Sequence, residues 1–416
     1  MLPLVRLVLI STVLALLAVP DLGAQRAAVP PQEPLALTNA SIVDVRSGTV
    51  TRNATVVMRG GRIESIANGP APAGVRSLDL RGRYVVPGLI DAHVHIGSAA
   101  QMRAALDSGV TTVRSAGVSH FVDVGLRELV RRGAIAGPDM IAAGYHVRPG
   151  VAAELFLDFP DLADLMGGGI STGDALRRAV GANISRGVDW IKTLATERAG
   201  TPDTDPRKQV YSQEELRILV VEAGTKNIPV MAHAHGAEGA DAAVRAGVRS
   251  IEHGTYLTDD TLQMMAKQGT YFDPTADIVN DLTEPGGDYD NAALKRRGEM
   301  MQPILRAAIG RAIKLGVKIV AGSDTGYGPN SIARISREVG VLVDAGMPTL
   351  QALQAATITN AEMLRLEKQI GVIAPGFEAD VLVVDGNPLD NIRTLLDPLV
   401  VISNGRLTLD RLTFAK

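Results

Sequence analysis

Two histidines, His93 and His95, close an apolar run that reads Val85-Val86-Pro87-Gly88-Leu89-Ile90-Asp91-Ala92-His93-Val94-His95. Side chains of a strand alternate with period two, so both imidazoles project from one face. Neutral imidazoles converging at a strand end are costly in a core and natural around a transition metal. A structural pair is the plain alternative. Further ligand-type side chains, following downstream in order, favour a metal site.

Lys192 lies within Val188-Asp189-Trp190-Ile191-Lys192-Thr193-Leu194. A lysine in an apolar strand must snorkel, pair with a carboxylate or give up its charge. In the last case the neutral amine can take up carbon dioxide, forming a carbamate able to bridge two metal ions. Val230-Met-Ala-His233-Ala-His235-Gly236 again sets two imidazoles on one face. Ser250-Ile-Glu-His253-Gly254-Thr255 follows at the spacing of one β/α unit, which puts His233 and His253 on adjacent strands. Ile319-Val-Ala-Gly-Ser323-Asp324-Thr325-Gly326 ends a last strand in a carboxylate, for which a helix N-cap is the alternative role. Five of the chain's 7 histidines thus fall at three strand ends.

Imidazole and carboxylate donors suit zinc-like divalent ions. Such ions lower the pKa of water toward neutrality and polarise a carbonyl oxygen. Asp324 is then suited to act as ligand and general base, passing a proton to a leaving amine. Six donors around a bridging group favour two ions over one, although a single ion would leave Asp324 the same role.

The elements that must position these groups alternate. Between residues 86 and 366, short apolar strands are expected at 85–95, 110–116, 139–144, 188–194, 228–235, 248–253, 269–273 and 317–324, with amphipathic helices between them. Ser212 and Glu215 read as a capping box opening one of those helices. This pattern predicts an α/β fold, a (β/α)8 TIM barrel over 85–370 with its chemistry at the C-terminal strand ends. A doubly wound open sheet is the alternative, but no Gly-x-Gly-x-x-Gly follows the first strand. Residues 35–84 and 371–416 are short strands and turns, and predict one small β-sandwich-like domain built from both chain ends.

The chain's 416 residues are 46% apolar and 21% charged, as in ordinary globular proteins. A net charge of -3 without like-charge blocks gives nucleic acid no electrostatic footing. Aromatic residues at 3%, with the single Trp190, supply no base-stacking surface. Residues 1–24 read as a signal peptide, with Arg6, the apolar stretch 7–19, Pro20 and a cleavage site near Ala24. The apolar stretch is short for a bilayer span, and an uncleaved anchor is the alternative. Residues 25–34 read as a leader. An exported protein, periplasmic or secreted and without a stable membrane span in its mature form, is therefore expected. The absence of cysteine excludes disulfides, lipoprotein attachment and thiol catalysis.

Taken together, these segments resemble the amidohydrolase superfamily of metal-dependent hydrolases. The resemblance runs through Pro87-Gly88-Leu89-Ile90-Asp91-Ala92-His93-Val94-His95, Val110-Thr-Thr-Val-Arg114, Trp190-Ile-Lys192, Ala232-His-Ala-His-Gly236 and Ile251-Glu-His-Gly-Thr255. It continues through Gly322-Ser-Asp-Thr325, Gly371-Val-Ile-Ala-Pro-Gly376 and Ala379-Asp380-Val381, and covers the chain apart from the leader. Within the superfamily the chain is similar to the imidazolonepropionase-like branch, which holds Xaa-Pro and other dipeptidases and ochratoxin-type amidases. The resemblance implies two divalent ions, zinc by expectation. His93 and His95 would bind one and His233 and His253 the second, with N6-carboxylated Lys192 bridging and Asp324 as ligand and proton shuttle. It assigns His235 no ligand role, leaving substrate contact or packing beside the site. Many relatives carry Asp where this chain has Ser115, so a salt link there is not carried over.

The loops after strands 3, 4, 7 and 8 are long and expected to roof the pocket. The run Leu155, Phe156, Leu157 and Phe159 reads as a lid for a hydrophobic substrate, or as a loop packed on its own barrel or another subunit. A substrate carboxylate would need a partner at the mouth, for which His146, Arg148, Arg198 and Tyr211 are the candidates. The leading expectation is hydrolysis of a small N-acyl amino acid or dipeptide, with ochratoxin-type amides included. Cyclic-amide hydrolysis or deamination on the same scaffold is the second. A binding protein on a barrel that lost its chemistry is the third, and retention of all six groups opposes it. The expected partners are a small-molecule amide and further copies of the chain as a homo-oligomer.

Overall fold

A computed structural model describes residues 33–150 and 153–412. The expected signal peptide and nearly all of the leader lie outside the described residues. Five strands come first: β1 (Leu35–Val43), β2 (Val50–Arg59), β3 (Arg62–Asn68), β4 (Arg76–Asp79) and β5 (Tyr84–Pro87). Seven short ones follow, β6 (Leu89–Val94), β7 (Val110–Ser115), β8 (Asp139–Ile141), β9 (Ile191–Leu194), β10 (Val230–Ala234), β11 (Ser250–His253) and β12 (Tyr271–Asp273). The last three are β13 (Val381–Val384), β14 (Val400–Ser403) and β15 (Arg406–Asp410).

Strands from both ends of the chain share one sheet, in the order β15-β14-β13-β5-β1-β2-β3, with β4 paired to β1. Leu37, Val56, Met58, Val381, Val383 and Ile402 belong to an apolar core of its own.

The middle strands form two parallel sheets, β6-β7-β8 and β12-β11-β10-β9. Every residue of β6, β7, β9, β10, β11 and β12 is buried. Parallel strands covered on both faces read as continuous apolar runs, so the charged residues inside them must find partners. Single bridges tie flanking segments to the edges of the second sheet, with Val147, beyond β8, paired to Thr193 of β9 and Ile319 to Phe272 of β12. Ser212 and Glu215 form the expected capping box on the helix Gln213–Gly224.

Two expected strands come out differently. The run 85–95 is divided at Gly88 between two sheets: β5 pairs antiparallel with β13, and β6 pairs parallel with β7. At the division only glycine fits, because a Cβ on Gly88 would lie 2.2 Å from Thr111 Oγ1. The 317–324 segment forms no regular strand. It is extended and wedged between β12 and β6, with Val320 N donating to Phe272 O and Ala92 N to Ala321 O, while Asp324 N donates to His93 O at 2.8 Å. Asn360 Nδ2 clamps the same seam, donating to Ile90 O and Ala321 O.

Candidate metal centre

Strand register brings the functional side chains to one end of the parallel sheets. In β9–β10 Lys192 pairs with Met231, and in β10–β11 Ala234 pairs with His253, so His233 and His253 stand on neighbouring strands. His93 and His95 sit at the end of β6, and the bridge of Thr325 to Val94 carries Asp324 beside them. His253 and Asp324 both take left-handed backbone angles, φ 76° and 53°, which non-glycine residues adopt mainly where the surroundings impose them.

The protein orients each imidazole through one nitrogen and leaves the other facing the cleft. His93 Nδ1 lies 2.8 Å from Glu252 Oε2, and His95 Nδ1 lies 2.8 Å from the Gly117 carbonyl oxygen. Carboxylates and carbonyls only accept, so both Nδ1 atoms carry the hydrogen and both Nε2 atoms present lone pairs. The Thr275 hydroxyl donates to Pro274 O, so His253 Nδ1 donates to Thr275 Oγ1 at 2.6 Å. His233 differs, because its Nε2 donates to Glu197 O at 3.2 Å and leaves Nδ1 as the donor atom for a metal. Burial holds His93, His233 and His253 neutral. It lowers the His93 pKa to about 4 and pushes His233 and His253 well below the ordinary value. The His233 and His253 ring centres lie 4.4 Å apart, and those of His93 and His253 5.1 Å apart.

Asp324 Oδ1 stands 3.1 Å from His95 Nε2 and 3.4 Å from His93 Nε2. Burial alone would raise its pKa, but positive charge on His93, His95 or Lys192 beside it outweighs burial and holds the carboxyl below the usual carboxylate range. It caps none of the described helices. Lys192 is 2% exposed and neither snorkels nor forms an ion pair among the described residues. Its Nζ lies 3.2 Å from His93 Nε2. Burial lowers its pKa to about 8 against the opposing pull of Glu252 and Asp324, which makes the neutral amine accessible.

This donor set fits divalent ions. Two imidazole lone pairs directed at one carboxylate oxygen repel it unless a cation or a proton sits among them. Ligand atoms of His93, His253 and Asp324 lie within 4.8 Å of one another, and so do those of His233, His235 and His253.

A buried ionic network behind the cleft was missed from the sequence. Arg114 Nη2 lies 2.7 Å from Glu252 Oε2 and 3.4 Å from Asp273 Oδ2, while Nη1 donates to Ser250 Oγ and the guanidinium stacks on Trp190. Glu252 thus links Arg114 to the His93 imidazole. Burial opposes ionisation of Glu252, but Arg114 and His93 hold its carboxyl low, whereas burial and the neighbouring Glu252 push Asp273 up. On the other flank Asp91 accepts from His93 N, Ser323 N, Ser323 Oγ and the Tyr327 hydroxyl, which ties the Asp324 segment to β6. A signal for the network was present in the sequence, since an arginine and a glutamate in strands expected to lie inside a parallel barrel need partners of opposite charge.

The remaining predicted residues divide. His235 reaches the cleft, stacks on His253 at 4.7 Å and bonds Thr255 Oγ1 through Nδ1. His146 also lines it, but its Nε2 donates to Ala116 O, and its ring packs where a Cβ on Gly117 would stand, 2.2 Å from Cδ2. His146 therefore shapes the loop whose carbonyl orients His95. Arg198 lines the cleft, and Arg148 lines an adjoining pocket with it. Tyr211 does not reach the mouth: it is buried, and its hydroxyl donates to Ile170 O at 2.6 Å. The cleft wall is not the 155–159 run, in which Leu155 and Phe156 are buried and Leu157 faces out. Leu194, Ile278, Val279, Leu282 and Tyr289 supply the apolar wall instead. Ser115 Oγ accepts from Gly117 N and stays within its own turn.

Residues 84–408 match the model of the amidohydrolase family. Among curated proteins, the ochratoxinase of Aspergillus niger is 31% identical over 233 residues, covering 55% of this chain and 47% of that protein. The chain thus spans about half the length of this relative. Among solved structures, a Xaa-Pro dipeptidase with bound methionine in its active site superposes with a TM-score of 0.81 at 29% identity, covering 90% of this chain and 99% of the other. A prolidase complexed with N-methylphosphonate-L-proline gives a TM-score of 0.78 at 27% identity over the same shares.

Proposed function

Because the chain belongs to the amidohydrolase family, we propose that it is a metal-dependent hydrolase of the amide bond in a small N-acyl amino acid or dipeptide. One observation carries this reading. His93 and His95 each direct an Nε2 lone pair at Asp324 Oδ1 within a cleft that also holds Lys192, His233 and His253.

In this reading His93, His95 and Asp324 would hold one divalent ion and His233 and His253 a second, and Lys192, if carboxylated on Nζ, would serve as a shared ligand. Zinc suits the donors, and the bound pair supplies Lewis-acid activation of water and of the scissile carbonyl. Asp324 accepts the proton of the attacking water. As the carbon–oxygen bond forms and the carbon–nitrogen bond breaks, it delivers that proton to the leaving amine. Glu252 and the Gly117 carbonyl keep the two β6 imidazoles in the required tautomer. The apolar wall from Leu194 to Tyr289 excludes water from the acyl side.

The two parallel sheets and the 319–325 segment are read as a single (β/α)8 barrel, supported by the bridges at their edges and by the superposed family structures. The shared end sheet, with its separate core, is read as the small β domain of residues 35–84 and 371–416. Arg6 and the apolar stretch 7–19 support export, and no described helix is long and apolar enough to cross a membrane. Hydrolysis of a cyclic amide or deamination needs no partner for a substrate carboxylate, and the arginines beside the cleft favour the first reading. Screening zinc-loaded protein against dipeptides, N-acyl amino acids, lactones and ochratoxin-like amides tests it. Amine release from at least one open-chain amide is expected, and turnover confined to lactones or cyclic substrates would overturn it.

A further inference from the structure

A second pocket opens beside the metal centre, lined by Gly117, Val118, Ser119, Tyr145, His146, Arg148 and Arg198. His146 and Arg198 line both spaces, so the two adjoin. Its character is opposite to that of the apolar wall. Val118 is the one aliphatic residue in its lining, and two arginines line it.

Neither guanidinium forms an ion pair or a side-chain hydrogen bond among the described residues. Arg148 is half-buried, and burial together with the nearby Arg198 lowers its pKa. Glu154 lends Arg148 some field without coming within ion-pairing distance. The Asp158 carboxylate is occupied by the Tyr145 hydroxyl at 2.6 Å and by His120 Nδ1 at 3.2 Å. His146 stays neutral through burial and adds no charge. Two like charges held together in a partly dehydrated pocket repel, and among the described residues Glu154 opposes that repulsion without pairing with either guanidinium. A single carboxylate shared by both guanidiniums leaves a net positive charge in the pocket, whereas two carboxylates neutralise the pair.

We propose that the cleft selects substrates whose leaving amino acid is dianionic, an aspartate or glutamate acylated on its amine by an apolar group, with Arg148 and Arg198 each taking one carboxylate. In such a substrate both carboxylates lie on the amine side of the scissile bond, and the acyl group faces Ile278, Val279 and Leu282. This inference rests on the amide-hydrolase reading and narrows its substrate.

The test uses metal-loaded full-length protein and one apolar acyl group joined to Glu, Asp, Ala, Pro or an uncharged amide. Selectivity of about tenfold or more in kcat/KM for Glu or Asp over Ala and Pro is expected from one added charge-assisted pair. Calorimetry with free glutamate and free alanine supplies a readout independent of turnover. Glutamate should bind more tightly, and Arg148→Gln and Arg198→Gln should each shrink the glutamate-to-alanine ratio, one of them also weakening alanine. Arg148→Lys and Arg198→Lys guard against misfolding and should fall between the wild type and the glutamine variants. Equal kcat/KM across the panel with equal binding of glutamate and alanine overturns this inference and leaves the amide-hydrolase reading standing. Absence of turnover on every amide overturns that reading instead, and the calorimetric ratio still decides whether the arginine pocket takes a dianion.

Discussion

His95 Nε2 stands 3.1 Å from Asp324 Oδ1, and the hydrogen on that imidazole is turned away to the Gly117 carbonyl. A lone pair therefore faces a carboxylate whose own segment is fastened to β6 by Asp91. Only a cation or a proton between them makes the arrangement favourable.

Replacing Asp324 by Asn keeps the shape and removes the proton acceptor. Turnover should fall by about 10²–10⁴, the usual contribution of a positioned acid–base group, with most of the metal retained. Steady-state kinetics alongside elemental analysis checks this. Loss of metal in step with activity would restrict Asp324 to a ligand role.

Glu252 joins the Arg114 guanidinium to His93 across the interior. Glu252→Gln leaves Arg114 without its closest anion, and breaking a buried pair costs roughly 3–5 kcal/mol. It also frees the His93 tautomer, for which a loss of about 10–100-fold in metal affinity is expected. Denaturant unfolding and competition with a chelator measure the two effects separately.

Carboxylation requires the neutral amine of Lys192, whose pKa burial lowers to about 8. Reactivation of metal-stripped protein by zinc with bicarbonate should accelerate from pH 7 to pH 9 as the ammonium is lost. Lys192→Gln should abolish the dependence on bicarbonate. Reactivation that ignores bicarbonate in the wild type would remove the carbamate from the site.

The metal-stripped protein should lose stability in acid through its buried imidazoles. His93 has a folded pKa of about 4 against 6.5 for an exposed imidazole, because burial disfavours its charge. Between those values the unfolded chain binds the extra proton and the native one does not, so stability rises with pH across that window and is lost as pH falls from 6.5 to 4. For such a histidine the loss is on the order of 3 kcal/mol. Thermal midpoints of chelated protein measured across this range give the check, and a flat profile would contradict neutral histidines in the cleft.

Much of the site was legible because period and position suffice for it. His93 and His95 share a face by alternation, and one β/α unit separates His233 from His253. The structure brings both pairs together with Lys192 and Asp324 in one cleft. Long-range pairing was less legible. Arg114 and Glu252 meet across two sheets, and nothing local in either strand names the partner. Tyr211 looked like a mouth residue by composition, but its position on the chain carries its hydroxyl to Ile170 in the interior. The apolar wall lies in a segment of ordinary helix text, Ile278 to Leu282, whereas the more apolar 155–159 run packs elsewhere. Gly88 shows the limit most clearly: a continuous apolar run serves two sheets, and the contact with Thr111 that leaves room only for glycine at the division lies outside the run itself.

The most direct measurement is hydrolysis of an N-acyl amino acid as zinc is returned to chelated protein in the presence of bicarbonate. Activity should be near zero without metal and should reach its plateau at about two ions per chain, as a paired-ion site requires. Undiminished hydrolysis after complete chelation, or two bound ions with no amide cleaved, would contradict the assignment of His93, His95, Lys192, His233, His253 and Asp324 to a two-metal amide hydrolase.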